Sequence, residues 1–240
     1  VKVPSSHYEE VYWPLKESLT PEYEDRGYGL ARTLEERSDF IVFNFQNPVL
    51  GQAAGESGLS LRRKLSQVID RARWLEFASG GAGKMIAHAS AATGQGTPTR
   101  GKSRITFTLE MNGTDESAIR IGTFLHDEFE RAGIKVVVQH NTYDGYREKL
   151  RSGNFQMAYV SWGDDLPSRE DRYALFYGKN VEDQTNFSRW QNGEFDRTFE
   201  SFRRLPLGRL RDQKRAELDA LLEKETVLIP GIERTDLTLL

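Results

Sequence analysis

Cysteine is absent from all 240 residues. Disulfides, thiol nucleophiles and cysteine-held zinc are therefore excluded, although the compartment stays open. Long apolar runs are missing too. No stretch approaches the roughly 18 residues that span a bilayer. Charge of one sign is not in excess: 33 Lys and Arg face 36 Asp and Glu, for a net charge of -3. That balance demands neither nucleic acid nor an anionic membrane. Histidine is scarce, and His7, His88, His126 and His140 have no histidine at i+3 or i+4, so spacing assembles no metal site. No Ser sits in a Gly-x-Ser-x-Gly elbow. No initiator Met or signal segment is visible at Val1, and the chain reads as a mature or truncated piece.

Aromatic residues, by contrast, are plentiful, with 13 Phe, 9 Tyr and 4 Trp. Extended disorder does not fit that composition. Hydrophobic residues make up 38%, enough for one sizeable core. Residues 1–37 are polar and punctuated by Pro and Gly, and read as an incomplete region leading into a lobe at 38–240. Asp39 to Phe45 is a strand by composition. Leu59 to Ala78 is expected as one helix, with Leu61, Leu65, Val68, Ile69 and Ala72 at 3–4 spacing. Residues 79–102 are rich in Gly, Ala, Ser and Thr and read as a flexible loop.

The best-patterned block follows. Strands at Arg104–Leu109, Ile134–Gln139 and Phe155–Trp162 alternate with helices at Thr114–Ala132 and Thr142–Leu150. Tyr143, Tyr146 and Leu150 are expected to face inward. Short links between these elements predict parallel strands joined by crossovers. Ligands of open α/β sheets sit at the carboxyl edge, which here should gather Glu110 to Asn112, His140-Asn141 and Trp162 to Asp165. Further helices are expected at Asp171–Tyr177, Glu194–Leu205 and Arg209–Glu225, the last with Leu210, Leu218, Leu221 and Leu222 apolar. Two short strands close the chain, at Val227–Ile232 and Thr235–Leu240.

Several motifs are weak. Gly80-Gly81-Ala82-Gly83-Lys84 lacks the leading Gly and the following Ser or Thr of a phosphate loop. Glu194 and Asp196 read as helix N-terminal charge. Asp164-Asp165 reads as a turn or as a site. A hydrolase would pair one of these last two with Glu194 or Asp196. Basic residues cluster from Arg197 to Arg215 and read as a solvated helix face. Tyr173, Phe176, Tyr177, Phe187 and Trp190 are core, or an aromatic wall beside a ligand.

Six ordered segments then resemble one family: Asp39 to Gly51, Leu61 to Arg71, Ala132 to Val136, Gly153 to Asp165, Asn192 to Asp196 and Leu228 to Pro230. Together they resemble the C-terminal portion of family 5 extracellular solute-binding proteins, the oligopeptide-, dipeptide- and nickel-type receptors of ABC importers. The resemblance implies a truncated, non-enzymatic α/β protein: a periplasmic-binding-protein-like (type II) lobe with a mainly parallel βαβαβ sheet flanked by helices. It implies a monomer without cofactor or nucleic acid, working with a membrane ABC permease in a periplasmic or extracellular location, free or anchored. Ser161, Trp162 and Gly163 would offer main-chain hydrogen bonds to an extended ligand, and Asp165 would pair with a peptide α-ammonium. Oligopeptide, dipeptide, metal chelate and sugar remain open as ligands.

Overall fold

The structure, a computed structural model, describes residues 25–79, 83–86, 105–163 and 169–239. One six-stranded sheet organises them, in the order β2-β6-β1-β5-β3-β4. The strands are β1 (Leu30–Phe43), β2 (Gly83–Met85), β3 (Thr106–Asn112), β4 (Lys135–Asn141), β5 (Met157–Gly163) and β6 (Leu228–Leu239). The helices are α1 (Gly55–Val68), α2 (Arg71–Ser79), α3 (Glu116–Arg131), α4 (Tyr143–Ser152), α5 (Glu170–Ala174), α6 (Gly193–Phe202) and α7 (Arg209–Glu225).

The expected βαβαβ unit is present. β3 pairs in parallel with β4 on one side and with β5 on the other. The rest of the sheet is antiparallel: β1 pairs with β5 and β6, and β2 with β6. The sheet is therefore mixed. Its middle joins segments far apart in the chain, with Asp39 opposite Ser161 on one side and Ile232 on the other.

Side chains alternate between the two faces of a strand. Ile41 and Tyr159 face α2, where Trp74 packs on Tyr159 at 5.9 Å. Phe40 and Val160 face the opposite way, and Phe40 meets Phe176 at 6.2 Å. Helix α6 closes that side with Phe195, Phe199 and Phe202, all buried, as their spacing predicts. Each such ring or aliphatic side chain contributes about 1.5–3 kcal/mol by leaving water. At Gly231 the strand backbone meets its neighbours so closely that a Cβ would lie 2.3 Å from the Asp39 carbonyl and 2.7 Å from the Trp74 ring.

Four expectations are corrected. The helix at Leu59–Ala78 is two helices. Ile69 is extended (φ -80°, ψ 120°), and the Asp70 carboxylate accepts from the N–H groups of Ala72 and Arg73, starting α2 anew. The two terminal strands are one, β6, because its Glu233 and Arg234 are neutralised by neighbours rather than forming a turn. Tyr143 is exposed rather than inward. Gly83-Lys84-Met85 is a strand on the sheet edge rather than loop; residues 80–82 and 87–104 lie outside the described residues. No helix among the described residues is long and apolar enough to cross a membrane.

Candidate functional site

β5 leaves the core at its carboxyl end. Met157 to Val160 are buried, whereas Ser161 and Gly163 are exposed and Trp162 is half-buried. The change follows from composition, as apolar residues give way to Ser-Trp-Gly. On one side this end is paired with β1 through Ser161, Trp162 and Gly163, opposite Asp39, Ser38 and Arg37. On the other side pairing with β3 stops at Leu109–Met157 and Glu110–Ala158. A strand's backbone groups point alternately to its two edges. Along Ser161–Gly163, those facing away from β1 thus have no strand partner among the described residues.

Two charged clusters flank this end, one on each face. On the α2 face, Asp39 is fully buried. Arg234 holds it, with Nε 2.8 Å from one oxygen and a terminal nitrogen donating to the other at 3.2 Å. The same guanidinium donates to Ser161 Oγ at 3.0 Å. Through Arg234 this network ties Ser161 of β5 to β1 and β6.

On the opposite face, Glu233 is buried and faces three cations. Arg169 donates to both its oxygens, at 2.8 and 2.9 Å, Arg172 donates at 3.1 Å, and Lys84 Nζ lies 2.9 Å away. Arg172 also donates to Ser38 Oγ at 3.1 Å. Burial pushes the Glu233 carboxyl up, but Lys84, Arg169 and Arg172 outweigh it and hold its pKa below the ordinary value. Arg169 takes a left-handed backbone (φ 57°, ψ 15°) just before α5. For a non-glycine residue that costs about 1–2 kcal/mol, and the two-pronged grip on Glu233 offsets it. Asp219 also acts on Arg169 and Arg172, so the cations of this face are shared between two buried carboxylates.

Trp162 lies between these clusters in register, opposite Ser38, which in turn faces Glu233. Its ring meets Phe187 edge-on at 6.4 Å. Its indole Nε1 is buried and has no hydrogen-bond partner among the described residues, which is costly unless a ligand or water supplies an acceptor. Tyr173, Phe176, Tyr177 and Trp190 are buried core, so among these aromatic residues only half-buried Phe187 stands beside Trp162.

Other residues expected here go elsewhere. Glu110 is bonded to Asn141 at 2.8 Å and Lys149 at 2.6 Å, and His140 Nδ1 lies 3.2 Å from the Gly113 carbonyl. β5 simply runs past the point where β3 leaves it, so the carboxyl edge is split. Glu110 instead lines a polar groove of about 500 Å³ at the opposite end of β5. There Asn44 donates to the carbonyls of Gly153 and Phe155, and Gln156 accepts from the Thr108 N–H. These groups are satisfied within the protein. Asp196 accepts from the Gly178 N–H at 2.8 Å and Glu194 is exposed in the first turn of α6. Asp164 and Asp165 lie outside the described residues. Among the described residues no three His, Asp or Glu side chains group to hold a metal.

The sequence reading missed Ser38, Asp39, Glu233 and Arg234. A signal existed: each pair interrupts an otherwise β-forming run, with charges that complement other strands. It was spent on a strand start and on a turn.

No family model matches the chain, and no curated protein sequence does. Solved structures do. The Escherichia coli murein tripeptide binding protein MppA superimposes with a TM-score of 0.70 at 19% identity, over 87% of this chain and 44% of that one. The dipeptide binding protein from Pseudoalteromonas sp. SM9913, in complex with Met-Leu, gives 0.72 at 13% identity, over 88% and 45%. The oligopeptide-binding protein AppA from Bacillus subtilis, in complex with a nonapeptide, gives 0.69 at 13%, over 89% and 48%. The fold is that of the family 5 solute-binding proteins. The chain spans about half the length of the solute-binding proteins it matches. In this fold Trp162 lies at a strand end that has charged clusters on both faces and, among the described residues, no strand partner on one side.

Proposed function

We propose that this chain is a ligand-binding lobe of a peptide-type receptor serving an ABC importer in the periplasm or outside the cell. The ligand is a peptide or a similar small solute, held at the carboxyl end of β5. Ser161 to Gly163 offer the backbone edge, Trp162 forms a wall, and Asp165 pairs with the ligand's α-ammonium. The observation that carries this reading is an edge of β5 left unpaired among the described residues, beside a buried indole N–H that finds no acceptor there. An extended ligand supplies both a strand-like partner and carbonyl oxygens. Such an edge reads main chain rather than side chains, which suits a receptor of broad specificity. The MppA, AppA and dipeptide binding protein structures, whose names specify peptides, support the ligand class.

Calorimetry with short peptides tests the charge partner. Removing one member of a buried, hydrogen-bonded charge pair costs about 2–5 kcal/mol. Asp165→Ala should therefore weaken binding by well over tenfold, and Asp164→Ala by much less. Equal and negligible effects would sink the assignment. Trp162 fluorescence should change on peptide addition and the change should vanish in Trp162→Phe; silence across a broad peptide library counts against the site.

A further inference from the structure

The turn between α6 and α7 reads Arg203-Arg204-Leu205-Pro206-Leu207-Gly208-Arg209-Leu210. It holds three cations and no acid, in a chain whose net charge is -3. Leu207 is 77% exposed and Leu210 65%, the two most exposed large apolar residues described. Isolated exposed leucines are ordinary on protein surfaces. Two within four positions, ringed by arginines, are not.

The turn is built to hold them outward. Buried Arg211 donates to the carbonyls of Phe202 and Leu205, at 3.0 and 2.7 Å, and stacks on the Phe202 ring at 4.0 Å. The Leu205 N–H bonds back to the Phe202 carbonyl, and the Asp212 N–H to the Gly208 carbonyl. Pinned at both ends, the backbone cannot fold the leucines onto the core. Arg204 and Arg209 are exposed, with no ion-pair partner among the described residues, whereas Arg203 is engaged by Glu170. Glu200 is bonded to Tyr177 and Lys179 and feels the Arg204 charge without pairing with it, and Asp212 is paired with Arg215.

We infer that this turn docks on the headgroup layer of an anionic lipid bilayer. Leu207 and Leu210 enter the interface, and Arg204 and Arg209 meet lipid phosphates. Apolar side chains set among arginines are what such an interface takes up, and each basic residue adds about fivefold to binding there. A small convex tip suits a deformable surface. A specific protein partner would cover about 800 Å² per side, and the polar groove does not reach this turn.

Sedimentation of the whole chain with vesicles tests this, using phosphatidylglycerol mixed with phosphatidylcholine against phosphatidylcholine alone. Binding should favour the anionic vesicles and largely disappear at about 1 M salt, where screening acts over about 3 Å. Arg204→Gln with Arg209→Gln should weaken it about twenty-fivefold, and Leu207→Ser with Leu210→Ser by about a hundredfold or more. All four positions are exposed, so thermal melts of both variants should match the parent and exclude misfolding. Equal binding to both vesicle types, no binding to either, or variants that bind like the parent would each overturn the proposal. An acidic protein as the true partner would give the second of these results. Peptide calorimetry is independent of this assay, so the two proposals fail separately.

Discussion

Glu233 holds Arg169, Arg172 and Lys84 at once, and its protonation state decides whether that cluster attracts or repels itself. Its folded pKa lies below its ordinary value. Its contribution to stability is thus complete above the usual glutamate range of about 4.3 and fades as pH falls through the lower, folded value. Asp219 works in the opposite sense. Burial raises its pKa despite the Tyr173 hydroxyl at 2.6 Å, so it favours folding at low pH and loses that contribution as pH rises. Acid titrations of the whole chain mix the two. Comparing the parent with Glu233→Gln separates them. The variant should be less stable by about 2–4 kcal/mol at pH 7, because three cations lose their counter-charge. The difference should shrink as pH drops below about 4. A constant difference across pH, measured by urea unfolding, would show that Glu233 does not act through charge. Arg62 is a purely structural counterpart. It is buried and donates to the carbonyls of Leu50, Glu225 and Thr226, closing the C-terminal end of α7.

Among the elements, the break between α1 and α2 depends on one side chain. Asp70 caps α2 through two N–H groups, and its own N–H bonds to Glu128 of α3. Asp70→Ala should cost about 1 kcal/mol, and Asp70→Asn much less; equal losses in chemical denaturation would discount the cap. The elements that sequence disclosed were those with local causes. The Phe195, Phe199 and Phe202 spacing, the Asn192 cap and the Thr142 cap all act within a few residues. The break at Asp70 was hidden because the apolar spacing of Leu65, Val68, Ile69 and Ala72 runs straight through it. β6 looked like two strands because Glu233-Arg234 needs partners that the local sequence does not contain. Arg234 meets Asp39 across 195 positions and Glu233 meets Arg172 across 61. The site divides in the same way. Ser161 and Trp162 were legible as the polar exit of an apolar strand, whereas the charged clusters on either face arise only when β1, β5 and β6 come together.

For the whole molecule, one sheet supports a single core. Trp74 on one face and Trp190 near α6 are both buried in the same apolar cluster. Tryptophan fluorescence and far-ultraviolet circular dichroism should therefore give one coincident unfolding transition. Separated midpoints would mean that the two faces unfold apart. The placement of β1 carries a consequence for biosynthesis. Its carboxyl end, Phe40 to Val42, is flanked by residues 158–160 and 228–230. Until Leu228 to Pro230 have been made, this apolar end of β1 has one open side. At about 5–20 residues per second, the wait after β1 emerges is roughly 10–40 s. The nascent chain is thereby kept from closing its sheet early.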